Sequence, residues 1–122
     1  MINGLDNIYY FVTDMKKAVE FYRDILGLSV IDQDDHWASI SLNGARLGLH
    51  KANSGEFSKS SEKRAGATVT LNVSDIDQAY AHYKSKGVRF LGAVSKNPWG
   101  SHVSFSDPDG NLLDIREAPK AK

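Results

Sequence analysis

The chain contains an internal repeat whose two copies lie half a chain length apart. Residues 12–23, VTDMKKAVEFYR, recur sixty-one positions later as residues 73–84, VSDIDQAYAHYK, and each copy is followed by a glycine, Gly27 or Gly87. A repeat of this kind within 122 residues predicts two copies of one supersecondary unit, each too small to bury its own apolar face. We therefore expect one globular domain made of two related modules.

Composition limits the classes of partner. Fifteen basic residues balance fifteen acidic ones, and this neutrality argues against binding to nucleic acid or an anionic membrane. The absence of cysteine excludes disulfides, thiolate catalysis and cysteine-ligated zinc. No apolar run is long enough for a signal or spanning helix, which favours a cytoplasmic location. A small neutral ligand or a protein partner fits this composition better.

The first half predicts a strand, a helix and three further strands. Residues 7–12 alternate as a strand does, and Thr13 and Asp14 supply side-chain oxygens that begin helices. Apolar residues then recur at helical spacing until Gly27, at Met15, Ala18, Val19, Tyr22 and Leu26. Three short strands follow at residues 28–31, 37–42 and 46–50, and Asn43-Gly44 is a strong two-residue hairpin signal between the last two.

The second half predicts the same order of elements. A strand at 68–73 precedes a helix that Asp75 and Gln78 begin with the spacing of a capping box variant. Strands are expected at 88–91, 102–106 and 111–116. A looser stretch follows residue 91 and runs through 97–100, and an Asp109-Gly110 turn mirrors Asn43-Gly44. Residues 52–66 are polar and read as a connector. The predicted organisation is a first module at 1–51, a connector at 52–66 and a second module at 67–122.

These motifs resemble the vicinal oxygen chelate superfamily, which includes glyoxalase I, fosfomycin-modifying enzymes, extradiol dioxygenases and bleomycin-resistance proteins. The resemblance is most specific over residues 12–28 and over 105–111, FSDPDGN. It implies an α+β fold of two tandem βαβββ modules with pseudo-two-fold symmetry. Their curved sheets would form a cup that holds the ligand, with the helices on the convex side. The resemblance also favours a homodimer.

Metal-dependent members of this superfamily place His and Glu ligands early in the first strand and in the last strand of each module. The repeat assigns the corresponding positions to Asn7 and Thr68 and to Gly48 and Asp114. Of these four, only Asp114 could bind a transition metal, and Gly48 leaves room where an enzyme would hold its glutamate. We therefore expect no metal centre and no cofactor.

Strand alternation predicts which side chains line the cup. If these four positions point into the cup, the residues that point the other way on the same strands are almost wholly apolar, as a face that packs against helices should be. A shift of one residue in the strand register would exchange the two faces. The predicted ligand-binding residues are Asn7, Tyr9, Phe11, Trp37, Arg46, Gly48, His50, Thr68, Thr70, Trp99, Asp114 and Arg116. Such a surface suits an aromatic or planar ligand with a few polar handles. Alternatively, the aromatic residues simply fill the interface of the sheets.

The leading prediction is a non-catalytic, metal-independent protein of the bleomycin-resistance type that sequesters an aromatic or planar small molecule. The alternative is a glyoxalase-like lyase, or a dioxygenase-like enzyme, with a relocated metal site at His50, His102 and Asp114. If no metal binds there, a neutral histidine in the pocket would serve as a hydrogen-bond partner or general base. Alternatively, the histidine is simply hydrogen-bonded within the rim of a strand. A third reading is a protein-interaction module that binds no small ligand.

Overall fold

The structure is a computed structural model that describes residues 1, 3, 5–52 and 68–119. The described chain forms two compact units, and the boundary between them falls between residues 52 and 68. The predicted connector at 52–66 lies, except for its first residue, outside the described residues.

The first unit follows the predicted order of one strand, one helix and three strands. Its elements are β1 (Ile8–Val12), α1 (Met15–Val19), a π-helical segment (Glu20–Ile25), β2 (Ser29–Gln33), β3 (Trp37–Ser41) and β4 (Arg46–Lys51). The strands lie in the order β1-β4-β3-β2, with β1 parallel to β4 and the other neighbours antiparallel. The result is a mixed sheet with one helical segment packed on it.

The helix begins where the sequence predicts, but it does not stay α-helical. The Asp14 carboxylate accepts a hydrogen bond from the Lys17 N–H at 3.1 Å, as an N-cap does. After Val19 the turns widen, and the Leu26 N–H donates to the Phe21 carbonyl five residues back at 3.0 Å. The predicted helix and its buried stripe are confirmed, Phe21 is buried with the stripe, and the π-helical form of the second part is a feature that the spacing did not predict.

One face of the first sheet forms the core beneath the helix. Its fully buried side chains are Val12, Ala38, Ile40, Leu47 and Leu49. They alternate with the residues predicted to face the other way, and α1 packs against β3 and β4. The predicted strand parity is therefore confirmed in this unit. The Asn43-Gly44 hairpin is also confirmed, since both residues take positive φ angles, 53° and 104°.

The second unit repeats this plan with one additional strand. Its elements are β5 (Val69–Asn72), α2 (Ile76–Ser85), β6 (Arg89–Phe90), β7 (Ser95–Asn97), β8 (Gly100–Ser106) and β9 (Leu112–Glu117). The strands lie in the order β5-β9-β8-β6, β7 also pairs with β8, and β5 is parallel to β9. The prediction of a loose stretch before β8 was wrong in part, because residues 95–97 form a strand through backbone pairing. Both units combine helix and mixed sheet, which confirms the α+β class.

The second helix is capped as the sequence predicts. The Asp75 carboxylate accepts from the Gln78 N–H at 3.1 Å, and the Glu117 carboxylate takes the Ile76 N–H at 2.9 Å. Ile76 is buried against the sheet, and α2 packs on β9. No helix in the described part of the chain is long and apolar enough to cross a membrane.

The loop before β9 differs from the predicted copy of the Asn43-Gly44 turn. Of its Asp109-Gly110 pair, only Gly110 has a positive φ, 84°. The loop is organised instead by Asp107, which is 1% exposed. Its carboxylate accepts hydrogen bonds from the N–H groups of Asp109 and Asn111 and from the Asn111 side-chain amide, at 2.8 to 2.9 Å. A buried carboxylate bonded in this way replaces the expected hairpin geometry.

Candidate functional site

The face of the first sheet opposite the helix is aromatic. Strand register places Tyr9 beside Gly48 and Phe11 beside His50, and it sets Trp37 opposite His50. Phe11 and His50 meet edge to face with ring centroids 5.3 Å apart, and Tyr9 lies 5.6 Å from Phe11 and 5.8 Å from Trp37. We call these four residues, Tyr9, Phe11, Trp37 and His50, the aromatic face. Tyr9 is 50% exposed, so the aromatic face is not sealed within its own unit.

Trp37 lies directly across the backbone of Gly48. A Cβ atom added to Gly48 would be 2.2 Å from Trp37 Cη2, 2.4 Å from Cζ2 and 2.9 Å from Tyr9 Cβ. The indole Nε1 donates a hydrogen bond to Ser39 Oγ at 2.8 Å, and Ser39 is 3% exposed. The room that the sequence predicts at Gly48 is therefore filled by the indole. An isolated glycine within a strand is a signal of close approach, although it does not identify the side chain that approaches.

The turn before β3 fixes the backbone from which Trp37 projects. Asp34 Oδ1 accepts hydrogen bonds from the N–H groups of His36 and Trp37 at 2.7 and 2.9 Å. These two bonds, with the His36 bond contributing most, hold the pKa of Asp34 below its ordinary value. His36 itself is exposed at this turn.

Two polar side-chain atoms of the first unit have no hydrogen-bond partner among the described residues. They are His50 Nδ1 and Asn7 Oδ1, and both atoms are buried. The Asn7 amide group donates to Asp6 Oδ2 at 2.7 Å, which leaves its carbonyl oxygen unused. A buried polar atom without a partner costs about 1–3 kcal/mol, so each of these atoms lowers the stability of the folded state. Arg46, by contrast, is exposed.

The corresponding face of the second sheet is polar. Register sets Thr70, Asp114 and Ser104 in one row and Arg116 beside His102 in the next. The Ser104 hydroxyl donates to Asp114 Oδ1 at 2.5 Å. The sequence leaves open whether Arg116 pairs with Asp114 or meets an anionic ligand. The structure shows that Arg116 Nη2 donates to the Trp99 carbonyl at 2.8 Å, and so holds the hairpin that joins β7 to β8.

The repeat shows how far the two faces have diverged. Equivalent positions pair an aromatic or small residue of the first unit with a polar or charged residue of the second. These pairs are Tyr9 and Thr70, Phe11 and Asn72, Gly48 and Asp114, His50 and Arg116, and Trp37 and His102. Ser39 and Ser104, like Ser41 and Ser106, keep the same residue type, and the hydroxyls of Ser39 and Ser104 bond different partners.

The residues at the four metal positions do not fit the His and Glu set of the metal-dependent members. Gly48 offers no donor, and the indole occupies the space a ligand would need. Thr68 is exposed just before β5, and Asp114 has one carboxylate oxygen bonded to Ser104. Within the described residues of either unit, no three His, Asp or Glu side chains lie together in a way that could hold a metal ion. The relocated site at His50, His102 and Asp114 draws on both units and stays a prediction.

The remaining predicted residues and the cavities lie elsewhere. Trp99 is 69% exposed at the tip of the β7–β8 hairpin. A cavity of about 420 Å³, not foreseen from the sequence, opens where α2 begins and is lined in part by Asp75, Asp77 and Glu117. Lys96 Nζ bonds Asp77 Oδ2 at 2.6 Å at this cavity, which raises the pKa of Lys96. No local sequence pattern could reveal it, because three separate elements contribute.

Comparison with known proteins identifies relatives along nearly the whole chain. A bleomycin resistance protein of Geobacillus stearothermophilus is 30% identical, with 90% of this chain and 93% of that protein aligned. The metallothiol transferase FosB of Staphylococcus epidermidis is 28% identical over 94% of this chain and 84% of its own. Among solved structures, TnmS3 of Streptomyces sp. CB03234, described as an antibiotic binding protein, superposes with a TM-score of 0.70 at 26% identity, covering 96% of this chain and 97% of that one.

The family assignment rests on the sequence motifs, on the two α+β units and on a match to a family model. Residues 4–115 match the model of the Glyoxalase/Bleomycin resistance protein/Dioxygenase superfamily. This span includes both copies of the repeat and the loop organised by Asp107. The chain therefore belongs to the glyoxalase/bleomycin resistance protein/dioxygenase superfamily.

Proposed function

We propose that this protein binds a planar aromatic small molecule on its aromatic face and sequesters it without a metal and without chemical change. The observation that carries the proposal is the position of Trp37, which lies across Gly48 where a metal-binding side chain would have to project. An indole ring at this place cannot bind a metal that would polarise a substrate. It offers instead an apolar surface on which an aromatic ligand can stack.

The environment of the aromatic face supports binding of a flat ligand with polar groups. Tyr9 is half exposed and Trp37 half buried, so both rings retain apolar surface that a ligand can cover. His50 Nδ1 is buried without a partner among the described residues, and it would gain a hydrogen bond if ligand binding opened it to a polar atom of the ligand. Two of the relatives, the bleomycin resistance protein and TnmS3, carry names that associate them with antibiotics. A homodimer and a cytoplasmic location, both expected from the sequence, belong to the same proposal.

Titration with bleomycin and a panel of planar aromatic compounds tests binding. We expect at least one compound to change tryptophan emission in a saturable way and to raise the melting temperature. A ligand specific to the folded state adds about 2.7 kcal/mol at a hundred times its dissociation constant. Tyr9→Leu should weaken this binding, whereas the matched Tyr80→Leu on α2 should not. If no member of the panel changes either signal, the proposal fails.

A metal-dependent transferase is the second candidate, because FosB is a relative and Asp114 is a carboxylate at one of the four metal positions. Elemental analysis of protein purified without chelators separates the two candidates. We expect no stoichiometric transition metal. Stoichiometric metal that is lost in Asp114→Ala, but retained in Asp109→Ala, would favour the enzyme. Light scattering on the same preparation tests the dimer.

A further inference from the structure

The Ser39 hydroxyl is a buried polar group whose hydrogen-bond partner among the described residues is the Trp37 indole. Ser39 is 3% exposed and lies between Ala38 and Ile40, which are fully buried. Among the described residues, the Trp37 indole N–H is the group that bonds its Oγ, at 2.8 Å. Burying a hydroxyl is unfavourable unless a hydrogen bond compensates. The bond to the indole therefore offsets the free-energy cost of burying this serine.

We infer that Ser39 is the positioning residue that determines specificity on the aromatic face, because it holds the Trp37 indole in one orientation against Gly48. The inference rests on the proposed function and names the class of ligand more closely. An indole fixed in one orientation offers a single planar surface, which accepts planar polycyclic ligands and discriminates against propeller-shaped aromatic ones, because these cannot stack in full contact.

Three restraints on Trp37 support this role. Gly48 has no side chain and allows the indole to reach the backbone, Ser39 fixes the ring by its N–H, and Asp34 fixes the backbone of the turn. The Tyr9 and His50 rings stand at 59° and 73° to the indole plane and so flank it rather than stack on it. A ring ordered before binding loses less freedom when the ligand arrives, a gain of roughly 2- to 10-fold in affinity.

Two monocationic dyes of different shape test the inference by calorimetry. Proflavine is planar, and crystal violet is a propeller. We expect the wild type to bind proflavine more tightly than crystal violet. Ser39→Ala should reduce this preference roughly 3- to 10-fold, the value of one hydrogen bond, mainly through weaker proflavine binding. The matched control Ser41→Ala, on the same strand and face, should keep the wild-type preference.

A double-mutant comparison separates positioning from a general structural effect. Trp37→Phe removes the indole N–H, so adding Ser39→Ala to it should change proflavine affinity less than about 2-fold. A ligand-free readout uses Trp99→Phe, which leaves Trp37 as the sole tryptophan of the two in the chain. In that background Ser39→Ala should increase acrylamide quenching of Trp37 and weaken its near-ultraviolet dichroism.

The outcomes distinguish this inference from the proposed function. If proflavine binds the wild type but Ser39→Ala keeps the preference for proflavine over crystal violet, the inference is overturned while the proposed function stands. Equal loss of affinity on adding Ser39→Ala to the wild type and to Trp37→Phe would likewise overturn it. If neither these dyes nor any compound of the earlier panel binds, both fall.

Discussion

Replacing Gly48 with alanine measures how closely Trp37 packs on the first sheet. The new Cβ would lie 2.2 and 2.4 Å from two carbons of the indole and 2.9 Å from Tyr9 Cβ. Carbon atoms in contact prefer about 3.5–4.0 Å, so the indole must retreat by more than about 1 Å. Tyr9 Cβ cannot retreat as easily, because its strand is paired with Gly48 in the parallel β1–β4 ladder.

The expected cost follows from three contributions. Overpacking costs about 1–3 kcal/mol, and loss of the bond to Ser39 costs about 1 kcal/mol more. Replacing glycine restricts the unfolded chain, which returns about 0.4–1 kcal/mol. The net loss is about 2 kcal/mol of unfolding free energy, or about 8 °C in melting temperature for a chain of this size.

Urea denaturation and thermal melting give the measurement, with Gly92→Ala as matched control. A Cβ at Gly92 meets no atom within 4 Å, so that variant should be as stable as the wild type or slightly more so. Combining Gly48→Ala with Trp37→Leu should cost less than the sum of the two single changes, because the clash is relieved. If Gly48→Ala matches Gly92→Ala in stability and leaves Trp37 emission unchanged, the packing described above is refuted.

Three further outcomes are expected. Asp107→Ala should lower the unfolding free energy by about 3 kcal/mol in urea, because three donors lose a buried acceptor, and a loss under 1 kcal/mol would contradict this. Asp14→Ala and Asp75→Ala should each cost about 1 kcal/mol, and similar values from calorimetry would show that the repeated caps do equivalent work. The pKa of Asp34 is lowered on folding, so its contribution to stability is complete above about pH 5 and is lost as the pH falls past the unfolded value of 3.8 and through the lower folded pKa. Asp34→Asn should therefore lose less stability than the wild type between about pH 5 and pH 3, and equal loss in melting experiments would contradict the assignment.

The repeat makes the architecture predictable because it reports local features that survive in both copies. Asp14 and Asp75 begin helices through their own side chains, and the apolar stripes that follow need only helical spacing. Alternation in the strands fixes the buried face in the same way. These are short-range properties, and one half of the chain supports the interpretation of the other.

Features that depend on distant partners were not predictable in the same way. Residues 95–97 carry no apolar side chain, and they form β7 only because β8 supplies backbone partners. The π-helical segment keeps Tyr22 and Leu26 buried, as an α-helix would, so periodicity cannot separate the two forms. The contact of Trp37 with Gly48 depends on strand pairing and on the side-chain rotamer, and sequence spacing reports neither.

The parallel pairing of β1 with β4, and of β5 with β9, has a consequence for how the chain folds. Each pair joins strands about forty residues apart, so the sheet of a unit closes only after its last strand is available, at a substantial cost in loop entropy. The antiparallel strands β2 to β4 are close in sequence and can pair first. During synthesis, β1 must therefore wait for β4, and its apolar residues stay uncovered until then.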